Sequence, residues 1–154
     1  MATFRFRAEA ALELRRQQET AAARTLATSE AALRTAEAKV EQAERDRRSA
    51  QEQQVQALRH GSDVAAMTWH RDWVARLGLQ MAVEQADAAR CAGVVSEAEA
   101  AWREARRKRL ALERMRERAV RRFAAEERRQ EMKVIDELAR LRFLMADEST
   151  RSTS

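Results

Sequence analysis

Leu12, Leu26, Leu33 and Val40 recur on one position of a seven-residue period, and Ala8, Ala22, Ala36, Ala43, Ala50 and Ala57 fall three residues later in it. This 3–4 alternation of large and small apolar residues is the signature of a coiled-coil seam. It is impure: Glu19, Arg47 and Gln54 take the large position, Arg15 and Ser29 the small one. A seam so rich in alanine lets a partner helix approach closely. No breaker interrupts the pattern, which predicts one helix over about 4–60.

"RHGSDVAAM" then intervenes. Gly61 can take the left-handed conformation that ends a helix, and Ser62 or Asp63 can cap the next one. With the turn at about 61–63, a second helix is predicted over about 64–146, and the polar tail 147–154 is expected to fray. Gly78 and Gly93 lie inside this helix, at a cost it can bear. One short turn between two long helices gives an all-α fold, a long antiparallel two-helix coiled coil that forms one domain over 1–154. Pairing residues whose numbers sum to about 124 sets large side chains against small ones: Leu33 against Cys91, Trp102 over Ala22. Helix one then stops opposite about residue 119. The last part of helix two is left as an overhang of ~40 Å at 1.5 Å per residue.

Composition narrows the chemistry. The 154 residues include three Gly, no Pro, 36% charged and only 5% aromatic residues, so a conventional core is thin and stability must come from a long seam. The lone Cys91 excludes an internal disulfide and fits a reducing compartment. The N-terminus has no secretory h-region, and no run reaches the length of a membrane span. These features predict a soluble, cytoplasmic protein. His60, His70 and Cys91 share no ligand spacing, isolated glycines cannot form a phosphate loop, and a thin hairpin has no enclosed pocket. No enzyme activity, metal or cofactor is therefore expected.

Two constellations remain. Near the turn, "MTWHRDWVARLGLQM" places Trp69, Trp73 and Leu77 at i,i+4 steps. They close the hairpin end, and they also suit an exposed anchor for a partner. The second begins at Arg103–Arg122, with ten basic and three acidic residues and a balance of +7 out of the chain's +5. Such a run could contact RNA or an anionic membrane. However, Glu104, Glu113 and Glu117 break it and no aromatic ladder accompanies it, so nucleic acid is not expected. Beyond it, "EMKVIDELARLRF" carries Val134, Ile135, Leu138, Leu141 and Phe143 on a helix with no intramolecular partner. Lys133 is within i+3 and i+4 reach of Asp136 and Glu137, and Asp136 of Arg140. Glu137 and Arg142 are thus expected to be freer than their neighbours to bond across an interface.

The opening Phe4-Arg5-Phe6, the stretch "LERMRERAVRRF" and the "EMKVIDELARLRF" segment together resemble the FliJ family of the flagellar type III export apparatus. That family ends on a pattern close to E-Q-K-x-L-D-E-x-A-x-x-R. Glu131, Lys133, Asp136, Glu137, Ala139 and Arg142 match it, while Met132 and Ile135 depart from it. The specific part of the resemblance lies in the two termini; the middle is generic coiled coil.

The resemblance implies a non-enzymatic stalk. Its paired termini would insert into the hexameric export ATPase FliI, promote its assembly and activity, and couple it to the export gate protein FlhA. Export chaperones are further implied partners, and motility the implied process. The chain would lie at the cytoplasmic face of the inner membrane, at the flagellar base, held there through partners. Phe4, Phe6, Glu131, Lys133, Ile135, Asp136, Glu137, Leu138, Leu141 and Arg142 are the candidate ATPase contacts. Trp69, Trp73 and Leu77 are the candidate gate contacts. The equivalent stalk of a virulence injectisome is the close alternative, and a basic coiled coil for RNA or membrane the distant one.

Overall fold

The computed structural model describes residues 3–151, with side chains to 148. Two helices, α1 (Glu9–Arg59) and α2 (Val64–Arg151), pack against each other as an antiparallel hairpin, and no strand is present among the described residues. The chain divides into two compact units. One spans Arg16–Arg106 and contains the turn; the other joins the chain up to Arg15 to the chain from Arg107.

In the turn-bearing unit the predicted periodicity is realised position by position. Along α1, Glu19, Leu26, Leu33, Val40, Arg47 and Gln54 are half-buried. Between them Ser29, Ala36, Ala43 and Ala50 are buried, because the small position sits deepest where the helices approach. Along α2, Leu77, Cys91 and Ala98 are the buried members of a matching row with the same seven-residue spacing. Two of the polar seam residues, Ser29 and Arg47, are accommodated differently. The Ser29 hydroxyl donates to the Thr25 carbonyl oxygen at 2.9 Å, so nothing polar is left unsatisfied there. Arg47 lays its guanidinium over Gly78, 3.6 Å from where a Cβ would stand, and its buried Nε has no hydrogen-bond partner. A Cβ at Gly78 would stand in ordinary van der Waals contact with that guanidinium, so the position has room for a small side chain but no more.

The turn is a Schellman close. Gly61 has φ 72°, its N–H donates to Leu58 O at 3.2 Å, and Ser62 N–H donates to Ala57 O at 3.1 Å. Of the two candidate caps, Asp63 serves: its Oδ1 accepts from Ala66 N–H at 2.9 Å.

In the other unit, α1 starts later than the predicted Phe4. Residues 3–6 are not helical, and Glu9 N–H donates to Phe6 O at 3.2 Å as the helix opens. The reason lies in the alternation Phe4-Arg5-Phe6-Arg7. In an extended chain alternate side chains share a face, and Phe4 and Phe6 are half-buried while Arg5 and Arg7 are exposed. A helix would have turned one phenylalanine away. The extended strap also advances faster per residue than a helix, so Phe4 reaches Phe123, with ring centroids 5.6 Å apart and an interplanar angle of 60°. Leu12 is fully buried, and Arg116 Nε donates to Glu9 Oε2 at 3.0 Å. The pairings Glu9–Arg116 and Arg47–Gly78 both sum to 125, within one residue of the expected register.

α2 also runs further than expected. The predicted frayed tail from 147 is helical to Arg151, and the rest of it lies outside the described residues. No glycine or proline stands after Gly93 to end the helix.

The helix placement yields a pair of opposite stability effects. Gly61→Ala should lower stability by about 1 kcal/mol, because an L side chain is strained at positive φ. Gly93→Ala should raise it by up to ~1 kcal/mol, since the position is helical and a Cβ there meets nothing within 4 Å. Urea titrations followed by circular dichroism would read both. In addition, cysteines at positions 22 and 102 should form an intrachain disulfide, seen as a faster-migrating monomer on non-reducing gels. Disulfide formation only between chains would contradict the register.

Candidate partner-binding surfaces

The seam of α2 can be followed through Leu112, Arg116, Ala119 and Phe123, which are all half-buried. Continued by the same period it would pass through Glu126, Gln130, Lys133, Glu137 and Arg140, none of them apolar. The hairpin seam therefore stops by sequence as well as by lack of a partner strand. From Glu126 to Glu148 every described residue is exposed. The uncovered segment thus begins later than the predicted residue 120, because the Phe4–Phe123 contact extends the cover. It is roughly 35 Å long at 1.5 Å per residue.

Apolar side chains resume one heptad position later, at Val134, Leu138, Leu141 and Met145. A shift of one position equals two successive stutters, eight residues against a heptad of seven, and stutters are points at which a supercoil locally unwinds. The residues that carry the row across the gap are Glu127 and Glu131, and with Phe123, Glu126 and Gln130 they line a shallow groove. Gln130 Nε2 donates to Glu126 Oε1 at 2.9 Å, and Arg129 lies 3.8 Å from the same carboxylate. Of the predicted ATPase contacts, Ile135, Leu138 and Leu141 are 53–56% exposed, and all the charged ones are exposed. Phe4 and Phe6 instead lie against α2, half-buried, with Phe6 beside Met115, Arg118, Ala119 and Arg122.

One expectation fails here. No hydrogen bond or ion pair forms among Lys133, Asp136, Glu137 and Arg140. Exposed pairs of this kind gain little over hydration. Glu137 and Arg142 are consequently no freer than their neighbours; the whole charged set is available. The sequence reading also left out Val134, Leu144 and Met145 as contacts. The period shift, rather than the motif, is the signal that picks out Val134 and Met145, whereas Leu144 falls on the unshifted row, four residues after Arg140.

At the turn end, Trp69 and Trp73 stack with centroids 6.1 Å apart and 12° between planes. His70 meets Trp69 edge-on at 5.0 Å, and the Arg76 guanidinium lies 5.9 Å from the Trp73 ring. Trp69 is 58% exposed and Trp73 is half-buried. Leu77 is buried at 7% and cannot belong to an exposed surface, contrary to expectation. An i,i+4 step turns 40° around a helix. Two such steps carry the row from the solvent edge at Trp69 into the seam at Leu77. The exposed neighbours are instead Val64, Leu58, Leu79 and Val83.

The basic stretch is partly neutralised. Arg109 pairs with Glu113 at 2.6 Å, Arg116 with Glu9, and Arg103 with Glu99 at 3.2 Å, which leaves fewer cations for phosphates. Earlier in α2, hydrogen bonding to Asp87 and the charge of that carboxylate raise the Arg90 guanidinium above its ordinary value. Among the described residues no cluster of His, Cys, Asp and Glu could hold a metal, and no helix is long and apolar enough to cross a membrane.

A helical hairpin whose second helix continues uncovered defines the class of antiparallel two-helix coiled-coil proteins. Within that class the chain belongs to the flagellar FliJ protein family, whose profile matches residues 6–148. The solved structure of CT670 from Chlamydia trachomatis, described as a YscO homolog, shares the fold. It aligns with a TM-score of 0.59 at 17% identity over 95% of this chain and 99% of that one. No curated protein matches the sequence.

The tip geometry makes one expectation concrete. Trp69→Ala with Trp73→Ala should remove a largely solvent-facing stack and leave helicity, read at 222 nm, essentially unchanged. A collapse of helicity would show that the stack holds the hairpin closed.

Proposed function

We propose that this chain is a non-enzymatic stalk component of the flagellar type III export apparatus. It inserts its paired termini into the hexameric export ATPase FliI, promotes the ring's assembly and turnover, and couples it to the export gate protein FlhA. The observation that carries the reading is the uncovered segment Glu126–Glu148. It bears a stripe of Val134, Leu138, Leu141 and Met145 that none of the described residues covers, next to the strap that brings Phe4 against Phe123. Membership of the flagellar family supports the flagellar system over an injectisome. The fold shared with a YscO homolog does not distinguish them.

The physics of the action follows from asymmetry. A single helix in a six-fold ring presents its apolar stripe to some subunits and its Lys133–Arg140 flank to others. Only contacts that differ in energy between ring states can bias turnover, so the uneven distribution of charge around the stripe matters more than total affinity. Trp69 and the half-buried Trp73 remain the proposed gate contacts, with exposed Val64 replacing Leu77 in that surface. Export chaperones would dock elsewhere on the exposed helix faces, and the membrane association is through partners alone.

Truncation after Arg129 tests the proposal. The shortened chain keeps the seam, the strap and the turn, so it should stay helical and monodisperse while losing binding to the ATPase and its stimulation. Full stimulation by the truncated chain would end the socket reading. Docking through the apolar stripe should also persist as salt rises from about 50 to 200 mM, a range over which phosphate binding through several arginines falls by orders of magnitude.

A further inference from the structure

The uncovered stripe has a symmetry of its own. Val134, Leu138, Leu141 and Met145 are spaced 4, 3 and 4 residues apart, so the first and last numbers sum to 279 and so do the middle two. Two copies crossing antiparallel about a two-fold axis between residues 139 and 140 therefore form four complete layers. Val134 meets Met145 of the second copy, and Leu138 meets Leu141 of the second copy, each twice. This is the pairing of antiparallel coiled coils, and a two-fold interface requires such self-complementarity.

The flanks agree. Glu137 and Arg140 lie on the same side of the stripe, and neither has a partner among the described residues. The two-fold axis places Glu137 of one copy about two residues in height from Arg140 of the other, within arginine's reach, and repeats the contact by symmetry. Ile135 and Leu144 widen the apolar strip on its two edges and are 56% and 49% exposed in the single chain. Covering these six apolar side chains on both copies removes on the order of 1,000 Å² of surface, the lower bound for a specific interface.

A parallel pairing would set Glu131 against Glu131 and Glu127 against Glu127 of the second copy. It would also align the basic stretches from Arg107 to Arg122. The antiparallel arrangement separates them, and its only like-charge approach is Glu131 near Glu148 at each end, which limits the pairing to four layers.

We propose that the free chain dimerises through this stripe, as an antiparallel pair of C-terminal helical segments, so that the apolar side chains are hidden when no other partner is bound. The pairing does not rest on the ring reading: it is measured on the isolated full-length chain, so either idea can fail alone. Sedimentation equilibrium should show a monomer–dimer transition as concentration rises to about 200 µM, the weak regime expected near the lower limit of interface size. Leu138→Asp should abolish it without loss of helicity, because Leu138 is exposed in the monomer. Glu137→Arg and Arg140→Glu should each weaken it by about tenfold, since each removes two attractions and adds two repulsions. The double variant should restore it. In a Cys91→Ala background, an equimolar mixture of Leu138→Cys and Leu141→Cys chains should cross-link to each other far faster than either does alone. A chain that stays monomeric at the highest concentration would overturn the proposal. So would a dimer indifferent to Leu138→Asp, a double variant no tighter than the single ones, or preferential cross-linking of Leu138→Cys to itself.

Discussion

Close approach of two helices along a row of alanines is the interaction on which the rest of this structure depends. Ala36, Ala43 and Ala50 bury little area each, so no single contact dominates the fold. Stability accumulates through repetition, and every half-buried large residue finds room because its neighbour in the row is small. The same thinness leaves most charged side chains in water. It also explains why exposed helix faces, rather than pockets, are what this chain offers to other molecules.

The two ends of the hairpin use different devices to stop the repetition. At the turn, Gly61 and Asp63 satisfy the backbone groups that two helix ends would otherwise leave unpaired. At the open end, the chain leaves helical conformation before the seam is exhausted. An extended Phe4–Phe6 strap covers more of α2 than another helical turn would. Past that cover the apolar row shifts by one heptad position, so an α1 extended on the same period would not meet it.

Much of this was legible in the sequence. The seam could be read because a strict seven-residue period over fifty residues leaves only one face to bury, and each deviation, from Glu19 to Arg47, still fell on the row. Gly61 could be read because only glycine takes positive φ cheaply. The strap could not, since three residues of alternation are too short to compete with the surrounding helix signal. Leu77 was misplaced because a row of i,i+4 residues appears straight on paper but winds around the helix. The uncovered segment was visible as a motif, but the residues of its apolar stripe became clear only once the end of the seam was fixed at Phe123.

The Arg47–Gly78 contact has a consequence for sliding. In an alanine seam, neighbouring registers are close in energy, because every layer resembles the next. Moving one helix past the other by a heptad, roughly 10 Å at 1.5 Å per residue, would set Arg47 level with Arg71 or Gln85 instead of Gly78. Arg71 would bring a like charge, and Gln85 a long side chain, to the place where Gly78 has none. The contact thereby distinguishes one register from its neighbours, which a row of alanines alone does not.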